Sequence, residues 1–182
     1  MNATPLSIPE VLLLEPTVLE DERGFFFESF HQARFDEAVG RSVRFVQEND
    51  SRSTHHVLRG LHYQLRQPQG KLVRVVEGEI FDVAVDIRRR SVTYGYWVSA
   101  VLSAENKHQL WIPEGFAHGF LVLSPVARVL YKTTDFYAPQ HERRIAWDDP
   151  TLNIQWPLQG APVLSAKDRD GTAFLQAESF DE

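Results

Sequence analysis

Apolar and polar residues alternate over short runs along most of this chain, which is the period of a half-buried strand rather than of a helix. Arg44 to Glu48, Leu58 to Gln64, Lys71 to Val76, Ile80 to Ile87, Tyr96 to Leu102, Gln109 to Ile112, Gly119 to Leu123 and Ala127 to Thr134 are rich in Val, Ile, Leu, Phe or Tyr and are separated by turn residues. Val11 to Leu19 reads as a further strand broken by Pro16, and Asp21-Glu22-Arg23-Gly24 as a turn leading into Phe25-Phe26-Phe27-Glu28-Ser29-Phe30. A helical pattern is confined to about His31 to Val39, where Phe35, Ala38 and Val39 form an apolar stripe and Gly40 supplies the stop. About eight strands with a turn every ten or so residues predict an all-β sandwich or barrel. After Trp156-Pro157 the pattern decays into loops, with Ser165-Ala166-Lys167-Asp168 as the structured signal among them.

One strand breaks the pattern in an informative way. In Leu58-Arg59-Gly60-Leu61-His62-Tyr63-Gln64 strict alternation puts Leu58, Gly60, His62 and Gln64 on one face and Arg59, Leu61 and Tyr63 on the other. Arg59 and His62 share a site only if the strand kinks between them, and Gly60 is where a bulge would do it. The plain alternative is an edge strand with a solvated Arg59 and a hydrogen-bonded core His62. Further on, Phe81, Val83, Val85 and Ile87 form one apolar face with Asp82, Ala84 and Asp86 on the other, and Arg88-Arg89-Arg90 reads as a solvated turn.

With 182 residues the chain is read as a single domain spanning 1–182, long enough to bury a core, with a loop-rich tail from about 157. It contains no cysteine, which excludes disulfides, thiolate metal sites and cysteine nucleophiles and fits a reducing cytoplasm. The first residues lack a basic segment followed by an apolar one, so neither a signal peptide nor a membrane span is expected. A formal net charge of −6 disfavours nucleic acid or an anionic membrane as partner. An anionic small molecule remains open if basic residues are gathered locally.

Pro113-Glu114-Gly115-Phe116-Ala117-His118-Gly119 resembles the second motif of the cupin superfamily. In metal-binding cupins the partner motif supplies two closely spaced histidines and a glutamate; here the matching place reads His62-Tyr63-Gln64, and the second histidine is missing. The resemblance then sharpens. Leu58 to Gln64, Gly78 to Arg88, Glu22-Arg23-Gly24-Phe25-Phe26, Phe45-Val46-Gln47, Pro113 to Phe120 and Ser165-x-Lys167-Asp168 look like signatures of the dTDP-4-dehydrorhamnose 3,5-epimerase family, in the family's order. The likeness implies a jelly-roll, cupin-like double-stranded β-helix that works as a homodimer on a dTDP-4-keto-6-deoxyhexose, with no metal and no other cofactor. The product implied is dTDP-4-keto-L-rhamnose. A relative that epimerises carbon 3 or carbon 5 alone, a metal-dependent cupin oxygenase or isomerase, and a silent sugar-binding cupin are the competing readings.

That chemistry needs a base, an enolate partner and an acid on the opposite side of the sugar. The resemblance assigns His62 as base with Asp168 as its partner, although Ser165-x-x-Asp168 also reads as a capping box. It gives Lys71 the enolate oxygen, the alternative being a snorkelling strand-end lysine, and Tyr131 the acid, the alternative being a buried structural tyrosine. It sets Arg23, Arg59 and Lys167 on the diphosphate and Glu28, Gln47, Asn49 and Glu142 on base or sugar. It stacks Tyr137 on thymine, places His118 near the sugar and counts Phe26 with the substrate contacts. Surface charge is the alternative for each charged position singly. Glu48 and Asp50 depart from the family's usual Asp and His, without touching base, acid or enolate partner.

Overall fold

The computed structural model describes residues 1–181. Its strands are β1 (Asn2–Pro5), β2 (Leu12–Glu15), β3 (Val18–Asp21), β4 (Gly24–Phe27), β5 (Gln47–Thr54), β6 (Leu58–Gln64), β7 (Lys71–Glu77), β8 (Glu79–Asp86), β9 (Trp97–Ser103), β10 (Gln109–Ile112), β11 (Phe116–Val122), β12 (Val126–Thr133) and β13 (Glu142–Arg144). The helices are α1 (Gln32–Val39), capped by His31 and closed by a left-handed Gly40, and the single turn α2 (Ala166–Arg169). A six-stranded sheet, β1-β2-β10-β7-β12-β5, faces a five-stranded one, β13-β6-β11-β8-β9, and every pairing is antiparallel. This is the all-β jelly roll expected, with β3 and β4 forming a separate two-stranded ribbon.

The core is layered. Val73 and Val75 of β7, Ile80 and Ala84 of β8, Leu110 and Ile112 of β10, Phe120 and Val122 of β11, and Val129 of β12 pack between the sheets. Each sheet is also covered on its outer face. Helix α1 lays Phe35 against Trp111 at 5.2 Å between ring centroids, over Leu12, Leu14 and Leu72. The C-terminal segment lays Leu152, Phe174 and Ala177 over Leu61, Tyr63, Val83, Val85 and Ile87. The apolar face of β8 therefore looks outward beneath that segment, and its acidic face, Asp82 and Asp86, looks into the molecule. The tail read as loops is a packed cover: Tyr63 Oη donates to Glu178 O at 2.5 Å, and Phe180 bridges to Arg88.

Two further readings change. Arg88 is tied to Asp86 at 2.7 Å and to Glu10 at 3.1 Å and lies over Phe116, so it is half-buried rather than solvated. The strand expected at Arg44 to Glu48 begins at Gln47 and runs to Thr54. This edge strand is polar on both faces, so hydrophobic alternation did not mark it. Glu48 pairs with Lys132 at 3.0 Å and Asp50 with Arg128 at 2.5 Å on the outside, while Gln47, Asn49 and Ser51 face inward.

Candidate active site

The inward positions of β5, β6, β7, β11 and β12 line a cavity of about 330 Å³ at one end of the barrel. The kink in β6 is what admits both Arg59 and His62. Between the pairs His62↔His118 and Arg59↔Phe120 the strand β11 advances two residues and β6 three, a bulge around Gly60. Gly60 has φ +127°, and a methyl group there would meet Gly119 Cα at 2.5 Å and His118 O at 2.8 Å. The bulge turns Leu61 into the outer core and leaves Arg59 and His62 facing the same cavity.

His62 Nε2 lies 2.6 Å from Asp168 Oδ1. Asp168 is carried by α2, where its own backbone N–H donates to the capping Ser165 Oγ at 3.1 Å and Ser165 Oγ donates back to Oδ2 at 2.6 Å. The cap and the dyad are thus one structure, because the capping serine also orients the carboxylate toward the imidazole. Burial acts to raise the Asp168 pKa, but hydrogen bonds from His62 and Ser165 outweigh it and hold it at about 2. The carboxylate stays charged at neutral pH and is suited to stabilise an imidazolium.

Lys71 opens β7 with 7% of its surface exposed, its Nζ donating to His62 O at 3.3 Å. Burial pushes its pKa down to about 8, with Asp82 and Glu142 opposing. Tyr131 enters from β12 with its pKa raised, first by burial, so its phenol is protonated at neutral pH. His118 on β11 is 8% exposed, with Nε2 at 2.5 Å from the fully buried Asp82. His62, Asp168, Lys71 and Tyr131 come from β6, α2, β7 and β12.

Several of the expected binding residues join them. Arg59, Gln47, Asn49, Tyr137 and Glu142 line the cavity; Gln47 Nε2 donates to Asn49 Oδ1 at 2.9 Å, and Gln47 Oε1 accepts from Tyr137 N at 3.0 Å. Lys167 reaches Glu142 at 3.9 Å. Arg23, Phe26 and Glu28 do not line the cavity. Arg23 pairs with Asp21 at the tip of the β3–β4 ribbon, Phe26 is 70% exposed beside it, and Glu28 pairs with Arg34 at 3.0 Å. Sequence reasoning missed Ser51, Gln64, Gln69, Phe120 and Asp82. The alternation in β6 had set Gln64 on the face of His62, and Asp82 and Phe120 lie in the quoted motifs with no role assigned to them, whereas Ser51 and Gln69 carried no signal. Among the described residues, no group of three or more His, Asp or Glu side chains is placed to hold a metal ion, and no helix is long and apolar enough to cross a membrane.

A family model described as dTDP-4-dehydrorhamnose 3,5-epimerase matches residues 5–176. The chain is 65% identical over 180 residues to the dTDP-4-dehydrorhamnose 3,5-epimerase of Pseudomonas aeruginosa, covering 99% of each. It is 61% identical to that of Shigella flexneri, again over 99% of each. Among solved structures it is similar to a dTDP-6-deoxy-D-glucose-3,5-epimerase from Legionella pneumophila in complex with dTDP-4-keto-L-rhamnose. The TM-score is 0.95 and the identity 52%, covering 97% of this chain and 94% of that one.

Proposed function

The chain belongs to the dTDP-4-dehydrorhamnose 3,5-epimerase family, and from that premise we propose that its cavity inverts carbons 3 and 5 of dTDP-4-dehydro-6-deoxy-D-glucose to give dTDP-4-dehydro-L-rhamnose. The observation that carries the assignment of roles is the gathering of the His62–Asp168 pair, Lys71 and Tyr131 around one cavity. His62 takes the proton from a carbon beside the carbon-4 ketone, leaving an imidazolium held by Asp168 and an enolate whose oxygen faces the Lys71 ammonium. The Tyr131 phenol returns a proton from the opposite face, leaving a phenolate. Exchange with solvent then takes the proton from His62 and restores the one on Tyr131. The second carbon repeats the sequence. Arg59 and Lys167 neutralise the diphosphate, and Tyr137 stacks on the thymine.

The working unit is a homodimer in which the β3–β4 ribbon of one protomer brings Arg23 and Phe26 to the cavity of its partner. Leu19, Phe25 and Phe26, exposed at 62%, 59% and 70%, support this reading, since three large apolar side chains on one small ribbon are costly in water. A cytoplasmic setting accords with a chain that has no cysteine.

The deciding experiment incubates the 4-keto sugar nucleotide with the protein in heavy water and counts deuterium at carbons 3 and 5 by NMR. Label at both is expected. Label at one alone assigns a single-site epimerase, and label at neither defeats the proposal. Activity unchanged by a chelator is expected as well, and its loss would favour a metal-dependent cupin.

A further inference from the structure

We infer, on the reading of this cavity as a sugar-nucleotide site, that Asp82 is a positioning residue: it fixes His118 with Nδ1 facing the cavity as a hydrogen-bond acceptor for a sugar hydroxyl. Asp82 stands in the middle of β8, paired in register with Phe120 of β11 and Ala100 of β9, and it is fully buried. Its Oδ1 lies 2.5 Å from His118 Nε2, while Oδ2 is sealed and has no partner among the described residues. A buried carboxylate with an oxygen left unused is expensive, and an apolar side chain would fill the position without that cost. Its presence there needs a chemical reason.

The hydrogen bond supplies one. A carboxylate only accepts, so Nε2 carries the proton, and in a neutral imidazole Nδ1 is then a bare acceptor. The ring is kept neutral chiefly by burial, aided by the neighbouring Lys71 and His62, against the pull of Asp82. The Lys71 ammonium lies within electrostatic reach of the carboxylate. Nδ1 has no partner among the described residues, is not sealed as Oδ2 is, and belongs to a ring that lines the cavity. An acceptor at that place cannot bind a phosphate oxygen, which also only accepts. It fits a hydroxyl, so His118 reads the sugar end of the substrate and Asp82 makes it do so.

The tautomer is read directly from two-bond proton–nitrogen correlation spectra of ¹⁵N-labelled wild-type protein, with His118 assigned by its absence in His118→Gln. A proton on Nε2 and a bare Nδ1 are expected. In Asp82→Ala, kcat/KM for the dTDP-4-keto sugar should fall at least about tenfold. In the His118→Ala background the same change should cost less than about twofold, because the carboxylate acts through that ring. A proton on Nδ1 in the wild type, or equal losses in both backgrounds, would overturn the inference. If Asp82→Ala does not fold, the wild-type spectrum still decides the tautomer. A wild-type chain that exchanges no hydrogen in heavy water overturns the epimerase reading instead, so the two failures are distinguishable.

Discussion

Asp168 does two jobs with one side chain: Oδ2 accepts from the capping Ser165 Oγ at 2.6 Å and Oδ1 holds the His62 ring at 2.6 Å. Because its pKa sits at about 2, below the ordinary carboxylate value, its stabilising contribution is complete above about pH 4 and is lost as the pH falls through 2. Across the neutral range the titrating group of interest is therefore Lys71. With its pKa lowered to about 8, the ammonium proposed to balance the enolate is lost as the pH rises through that value, and kcat/KM should decline on an alkaline limb centred there. Folding stability runs the other way. Between 8 and the ordinary lysine value the unfolded chain holds a proton that the folded chain has released, so this residue adds stability with rising pH. In Lys71→Arg the limb should disappear from the pH–rate profile, since a guanidinium stays charged. A limb that persists there would assign it to another group. On the proposed assignment, Tyr131→Phe removes the returning proton but not the base; deuterium exchange should survive in part while completed inversion falls by about 10²-fold or more. Wild-type inversion in that variant would remove Tyr131 from the acid role.

Strand β6 shows how a local break in pattern becomes a site. The bulge at Gly60 reverses the face of every side chain beyond it, and so a core leucine at 61 points away from the cavity while His62 points in. Gly60→Ala is expected to destabilise the fold by about 1–3 kcal/mol, since its methyl group meets the Gly119 backbone at 2.5 Å and the site needs positive φ. It should also depress kcat more than its loss of stability explains, measured by urea midpoint alongside turnover, because His62 is two residues away. Phe35→Ala, on α1 and outside the cavity, is the contrasting case: roughly 3–5 kcal/mol of stability lost with little change in kcat at a temperature where the chain stays folded. Both elements were legible. Gly60 was a glycine inside a strand pattern, and Phe35 lay on the one helical stripe. Strand β5 and Asp82 were not. A polar edge strand carries no hydrophobic period, and an acid alternating with apolar residues in β8 looks the same whether its face meets solvent or closes a barrel. Only the packing of the C-terminal segment over Val83, Val85 and Ile87 fixes which face is inside.

At the scale of the whole molecule a chain of net charge −6 must hold a diphosphate. Within one protomer Arg59 lines the cavity and Lys167 stands by Glu142, while Arg23 stays on the exposed ribbon, tied to Asp21. The proposed two-fold dimer would resolve this, because an isologous arrangement carries each ribbon to the other protomer's cavity at once. The consequence can be measured by mixing two inactive variants. Arg23→Ala keeps its own His62 but has lost the ribbon arginine, and His62→Ala keeps the arginine but has lost the base. In a heterodimer of the two, the cavity of the Arg23→Ala protomer has an intact His62 and receives an intact Arg23 from its partner; the other cavity lacks both. Random reassortment makes half the dimers mixed, each with one complete site, so about a quarter of wild-type activity should return after subunit exchange. If Arg23 instead serves its own protomer, every cavity in the mixture lacks one group or the other and no activity returns. Phe26→Asp bears on the same ribbon from the apolar side: a charge at a 70% exposed phenylalanine costs an isolated protomer little. In a protein whose dimer buries that ring, the substitution should shift the mass seen by light scattering toward the monomer and lower kcat/KM along with it. Loss of mass without loss of activity would separate the ribbon from the site and leave each cavity complete by itself.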